Sequence, residues 1–179
     1  MQKNKYNKRW HRRKTMLNRP VPDDALHWLF DASSLTKRLL QRCPDDFRVE
    51  VIVQSVTRPT LDETRTLGVD ARKSALVREV LLYCGEQVVV YARTVIPLST
   101  LSGAQRCYAS LGNRPLGAML FADRSMRRDE VEITMLTPDD ALYSNTLCVD
   151  ETVWGRRSIF RVGNKPLLVS EFFLPALYG

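Results

Sequence analysis

The sequence predicts an α+β domain built on a mainly antiparallel sheet of about six strands with short helices. Two observations predict it. Segments of period-two hydrophobicity are joined by tight turns, and short segments of helical periodicity lie before and between them. Strands joined by so short a turn pair antiparallel, because a parallel pair needs a crossover of a dozen or more residues. A length of 179 residues suits a single domain, and 44% apolar residues suffice for its core.

The chain opens on a basic arm. Residues 1–19 carry Lys3, Lys5, Lys8, Arg9, Arg12, Arg13, Lys14 and Arg19 and no acidic side chain. Without them the body holds 19 basic against 20 acidic residues, so the net charge of +7 belongs to the arm. Residues 1–22 are read as a flexible arm whose charge is a solvated tail. It could speed encounters with anionic partners, but nucleic acid is not an expected partner. No apolar segment follows Lys14, so a secretory signal is not expected. No run approaches the ~18 apolar residues of a membrane-spanning helix.

The domain proper is placed at residues 23–179. Asp23 and Asp24 start a short helix carrying Leu26, Trp28, Leu29 and Phe30. Ser33 or Ser34 caps a second, with Leu35, Leu39 and Leu40 at helical spacing. From Phe47 the period becomes two: Phe47, Val49, Val51 and Val53 alternate with Arg48, Glu50, Ile52 and Gln54. Residues 58–73 read as a polar connection. Strands Leu76–Cys84 and Gln87–Ile96 flank Gly85-Glu86 as a hairpin. Ser99–Phe121, broken by Gly112 and Pro115, reads as two short helices over the sheet. A strand near Val131–Leu136 follows. After a polar segment around Pro138, Trp154–Val162 and Pro166–Leu174 form a last hairpin.

Cys43, Cys84, Cys107 and Cys148 are widely spaced, and the histidines are His11 and His27. No zinc-ligand spacing results, and unpaired thiols in a reducing, cytoplasmic compartment are expected. Phosphate-loop, dinucleotide, metalloprotease and serine-hydrolase motifs are missing, so no cofactor is expected.

Two charges interrupt apolar strand faces. Arg78 shares a face with Leu76, Val80 and Leu82, and Glu171 shares one with Leu167, Val169 and Phe173. An isolated buried charge costs several kcal/mol, so each needs a partner, a ligand or water. Spacing alone leaves two readings. The simpler is a structural ion pair or two wet strand ends; the other is a polar cavity for a small anion, which guanidinium grips through two parallel hydrogen bonds. Arg93 is a second, weaker candidate. Arg156 and Arg157 point to opposite faces, so only one can enter a given pocket, and charge statistics place one or both in solvent.

Several blocks resemble the chorismate pyruvate-lyase family. They are Val77-Arg78-Glu79-Val80-Leu81-Leu82, Arg93-Thr94-Val95-Ile96-Pro97 with Ser99-Thr100-Leu101-Ser102-Gly103, and Leu111-Gly112 with Pro115-Leu116-Gly117. Further blocks are Trp154-Gly155-Arg156-Arg157-Ser158, Lys165-Pro166-Leu167-Leu168 with Glu171-Phe172-Phe173-Leu174-Pro175-Ala176, and Ser34-Leu35-Thr36-Lys37-Arg38. The basic arm and about 15 residues after Leu136 lie outside this close match.

The resemblance implies a six-stranded antiparallel sheet, helical flaps over an enclosed pocket, and conversion of chorismate to 4-hydroxybenzoate and pyruvate without a cofactor, at the start of ubiquinone synthesis. It implies that Arg78 binds the ring carboxylate, that Glu171 meets the hydroxyl end, and that backbone groups of Leu35 and Leu116 complete the site. Relatives often carry methionine where Leu35 stands. A monomer is expected. The competing reading is a small-molecule-sensing module, since effector domains of some transcription regulators resemble the same fold.

Overall fold

A computed structural model describes residues 10–12, 21–140, 147 and 150–179. The strands are β1 (His11–Arg12), β2 (Phe47–Thr57), β3 (Ala75–Cys84), β4 (Gln87–Pro97), β5 (Arg127–Arg128), β6 (Glu132–Leu136), β7 (Val153–Val162) and β8 (Lys165–Phe173). The α-helices are α1 (Asp23–Leu29), α2 (Leu35–Arg42), α3 (Leu61–Leu67) and α4 (Leu116–Ala122), with 3₁₀ segments at Gly103–Ser110 and Pro175–Leu177. The strands form one sheet in the order β1-β6-β7-β8-β4-β3-β2, with β5 pairing with β7. Every pairing is antiparallel. The six expected strands are present, and β1 and β5 join them as two-residue additions.

Turn chemistry sets the hairpins. Gly163 and Asn164 both have positive φ, 53° and 64°, and Val162 pairs with Lys165 around them. This is the primed turn that matches strand twist. Gly85, at φ 59°, does the same between Cys84 and Gln87.

The period of two separates the two layers. On one face Leu76, Arg78, Val80 and Leu82 of β3 lie beneath α1, α2, α4 and the Gly103–Ser110 segment, through cores centred on Leu29, Leu39, Val90, Phe173 and on Tyr108, Leu111, Leu120. On the other face Val77, Val95 and Leu168 pack with Leu67 of α3, and Tyr91 packs with Phe172.

Four expectations need correction. Residues 58–73 are not wholly connection, because they contain α3. Thr60 accepts from the Glu63 N–H at 3.2 Å while the Glu63 carboxylate accepts from the Thr60 N–H at 2.9 Å. This capping box starts the helix, and left-handed Gly68 ends it. The alternation of β2 breaks at a bulge between Val51 and Val53, which places Gln54 opposite Arg78. A bulge adds a residue and re-aims those after it, so Gln54, not Val53, shares the face of Arg78.

The thiols are not all free. Cys43 at the end of α2 and Cys84 at the end of β3 form a disulfide, with Cα atoms 5.6 Å apart. The short connection from Cys43 to Phe47, which pairs with Cys84, brings them together although 41 residues separate them. A reducing compartment inferred from unpaired thiols loses its premise. Cys107 is a free, exposed thiol, and Cys148 lies outside the described residues. Within the basic arm, His11 and Arg12 pair with Ile133 and Glu132, and Trp10 packs on Phe172. These three residues are sheet edge and core, not solvated tail, because an indole offers the apolar surface that lysines do not. Much of the segment after Asp140 falls outside the described residues. Among the described residues no helix is long and apolar enough to cross a membrane.

The layer carrying α3 pairs its buried charges. Arg93 bonds Glu63 at 2.6 and 3.0 Å and also meets Glu79. Arg157 bonds Glu132 at 2.7 Å, meets Asp62, and lies over the Trp10 ring. Burial raises the Glu63 carboxyl, but the Arg93 guanidinium and the Thr60 hydrogen bonds outweigh it and hold the pKa below its ordinary 4.5. A depressed carboxyl stabilises the fold above its unfolded value and loses that contribution as pH falls through its folded value. Glu63→Gln is therefore expected to cost about 3 kcal/mol at neutral pH. In urea melts the gap from the parent should narrow as pH drops below 4.5.

Candidate functional site

A mostly enclosed pocket lies between the sheet and the helices of its α1–α2–α4 layer. About 620 Å³ separates its lining atoms, mouth included. Its floor is Val80, Leu82, Ala92, Thr94 and Val169, and its roof includes Leu35, Thr36, Leu116, Gly117 and Leu120. Among the described residues four ionisable side chains line it: Arg78, Arg128, Arg156 and Glu171.

The strand register places Arg78 and Glu171. Arg78 of β3 pairs with Thr94 of β4, whereas Glu171 of β8 pairs with Ala92, two residues along β4. Both side chains rise from the same face. Two strand spacings across and two residues along separate their Cα atoms by about 12 Å. They do not form an ion pair with each other. Glu171 accepts from Arg156 Nε at 2.6 Å. Arg78 Nη1 donates to Gln54 Oε1 at 2.9 Å and Nη2 to the Arg114 carbonyl at 3.2 Å. Among the described residues no carboxylate lies within ion-pair distance of Arg78, although only 2% of it is exposed. Burial lowers its pKa from the ordinary guanidinium value.

The roof comes from two helix starts. Leu35 is the first residue of α2, after Ser34, whose hydroxyl accepts from the Lys37 N–H. Leu116 is the first residue of α4, after Pro115. First-turn N–H groups have no partner within their helix, so both helices bring donors to the pocket wall. The two helices touch at Gly117: a Cβ there would sit 2.7 Å from Thr36 Oγ1. A side chain at that position would force them apart.

Arg78, Glu171, Leu35 and Leu116, all singled out from sequence, thus meet at one pocket. Arg93, the second candidate, does not, since it is committed to Glu63 and Glu79 on the opposite face. Of Arg156 and Arg157, only Arg156 enters the pocket. Neither is solvated, at 2% and 5% exposure. Arg156 Nη1 donates to the carbonyls of Trp28 and Asp31 at 2.6 and 2.8 Å, which fixes it beneath Glu171.

Sequence reasoning passed over two residues. Gln54 ties Arg78 to the Gly103–Ser110 segment by donating to the Ala109 carbonyl at 3.0 Å. Its role depends on the bulge, which strict alternation conceals. Arg128 donates through Nε to Ser158 Oγ at 3.0 Å and through Nη1 to the Asp31 carbonyl at 3.1 Å. Burial first, then the Arg156 charge, lower its pKa to about 10, against the opposing pull of Glu171 and Asp31. In sequence it sits in Arg127-Arg128-Asp129, which looks like any charged turn.

Comparison with known proteins bears on this arrangement. A probable chorismate pyruvate-lyase of Methylococcus capsulatus is 44% identical over 154 residues, covering 84% of this chain and 94% of its own. One from Psychromonas ingrahamii is 44% identical over 160 residues, covering 86% and 84%. Among solved structures, PhnF from Mycobacterium smegmatis shares the fold at TM-score 0.62 and 15% identity, covering 82% of this chain and 66% of its own. The C-terminal domain of a histidine utilization repressor from Pseudomonas syringae pv. tomato does so at 0.57 and 10%, covering 73% and 92%. The sequence model of chorismate lyase matches residues 5–179, reaching into the basic arm. With that match and these relatives, the chain belongs to the chorismate lyase family.

Proposed function

We propose that the protein is a lyase that converts chorismate to 4-hydroxybenzoate and pyruvate without a cofactor, in the first committed step of ubiquinone synthesis. One observation carries this reading. An enclosed apolar pocket holds, on opposite sides, a buried guanidinium with no carboxylate partner among the described residues and a carboxylate fixed by its own arginine. A flat ring acid with a para hydroxyl suits that pair. The relatives named probable chorismate pyruvate-lyase support it.

The chemistry asks little of side chains. The bond between a ring carbon and the enolpyruvyl oxygen breaks, and its electron pair leaves with the oxygen. The neighbouring carbon, which bears the hydroxyl, loses its hydrogen as a proton, and that C–H pair becomes the ring double bond that completes the aromatic system. The departing enolate takes up a proton at its methylene carbon and becomes pyruvate. No net oxidation occurs and no redox partner is required. The protein's work is to hold the reactive pose and to keep water out.

In this reading Arg78 grips the ring carboxylate, with Gln54 and the Arg114 carbonyl holding the guanidinium in place. Glu171 accepts from the ring hydroxyl while Arg156 holds its other side. The N–H groups at Leu35 and Leu116 close the pocket over the ring. Glu171 is a positioning residue here, and the substrate's own methylene receives the proton. The sensing alternative draws on the fold shared with the histidine utilization repressor domain. A sensor binds without turnover, so release of pyruvate from chorismate decides between the two.

Three outcomes follow for the purified protein. Arg78→Gln should raise KM for chorismate about 10- to 100-fold, the worth of a charged hydrogen-bonded pair. Glu171→Gln should lower kcat by about 10- to 100-fold, the worth of a charge-assisted hydrogen bond to the hydroxyl; a loss beyond about a thousandfold would assign it the proton transfer itself. Gly117→Ala, which wedges α4 from Thr36, should cost about tenfold in kcat/KM through water entry and lower the melting temperature by a few degrees through overpacking.

A further inference from the structure

Among the described residues the pocket's charges do not balance. Arg78, Arg128 and Arg156 face one carboxylate, Glu171, which leaves two positive charges in excess. Arg156 is neutralised by Glu171 at 2.6 Å. Arg78 serves the ring carboxylate in the reading above. The remaining guanidinium is Arg128. Its bonds go to a neutral hydroxyl and a backbone carbonyl. The nearby carboxylates are committed elsewhere, Glu171 to Arg156 and Asp31 to Arg38 at 2.7 Å. Among the described residues none lies within ion-pair distance of Arg128. A pocket-lining guanidinium in this state is an anion site: it has fork geometry, a desolvated setting and no internal counter-ion.

Its place on the sheet says which anion. Arg128 pairs with Phe160 of β7, three strands across from β3 by way of β4 and β8. Its guanidinium lies 5.2 Å from the Phe160 ring centroid. Its charge acts on both Arg156 and Glu171, and burial with the Arg156 charge brings its pKa to about 10, so it stays protonated at neutral pH. It therefore stands at the Glu171 side of the pocket, far from Arg78. In chorismate the enolpyruvyl ether is meta to the ring carboxylate and adjacent to the hydroxyl. With the carboxylate on Arg78 and the hydroxyl on Glu171, the ether and its own carboxylate fall in the Glu171 half of the pocket, the half that Arg128 lines.

We infer that Arg128 is the binding residue for the carboxylate of the leaving enolpyruvyl group, so that the pocket recognises a dianion through two separate guanidiniums. This rests on the lyase reading and deepens it. Arg128 holds the leaving group in line as the carbon–oxygen bond breaks, and its charge is nearest where the departing oxygen becomes negative. It contributes nothing to holding the aromatic product once pyruvate has gone.

The test compares ligands with and without the second acid. Binding of 4-hydroxybenzoate and of an unreactive benzoate bearing an enolpyruvyl ether is titrated calorimetrically to the parent protein, Arg128→Gln and Arg128→Lys, alongside chorismate turnover. Arg128→Gln is expected to weaken the ether-bearing ligand and to raise KM for chorismate about 10- to 100-fold, with 4-hydroxybenzoate affinity within about threefold of the parent. Arg128→Lys, which keeps the charge and loses the fork, should recover part of that loss. Equal weakening of both ligands makes Arg128 a structural residue and overturns the inference, as does no weakening of either. A parent protein that binds neither ligand and releases no pyruvate removes the lyase reading and this inference together. Parent turnover with an Arg128→Gln variant of unchanged KM removes only the latter.

Discussion

A buried positive charge with no negative partner is the constraint that organises this molecule. Arg78 is 2% exposed, its hydrogen bonds run to an amide and a carbonyl, and no described carboxylate lies within reach. Leaving such a group inside a fold costs several kcal/mol. The other face of the same sheet shows that the chain can avoid that cost, for there Arg93 and Arg157 each meet two carboxylates. One layer pairs its charges and locks α3 to the sheet. The other pairs Arg156 with Glu171 but leaves Arg78 and Arg128 open towards a pocket, without a carboxylate among the described residues, and this asymmetry separates scaffold from site.

The roof follows from the same economy of polar groups. Two short helices begin at the pocket, and each brings first-turn N–H groups that its own helix cannot satisfy. Gly117 lets α4 approach the Thr36 side chain of α2 closely enough to seal the gap. The disulfide joins the far end of α2 to the tip of the β3–β4 hairpin. The roof is thus tied to the sheet at one end and meets its neighbouring helix at the other.

The sheet was legible in the sequence because its signals are local. Gly85-Glu86 and Gly163-Asn164 announce hairpins, and period two gives the faces of β3 and β8 on which Arg78 and Glu171 stand. What stayed hidden depends on distant contacts or on a break in the pattern. The bulge in β2 turns Gln54 towards Arg78, and nothing in Val51-Ile52-Val53-Gln54 marks it. Cys43 and Cys84 meet only after α2 folds against the hairpin. Arg128 looks like a surface arginine until β5 pairs with β7 beside the pocket. The capping box at Thr60 and Glu63 is different: its spacing is a readable helix start, obscured by the polar composition around it. The roles of Arg78 and Glu171 came from family resemblance, since spacing alone favours a structural ion pair or two wet strand ends.

The most direct measurement is a crystal structure of the protein with 4-hydroxybenzoate bound. The account predicts the carboxylate on the Arg78 guanidinium, the hydroxyl against Glu171, and the ring beneath the N-termini of α2 and α4. A ring bound elsewhere, or an Arg78 that swings to Glu171 and leaves no room between them, would contradict it.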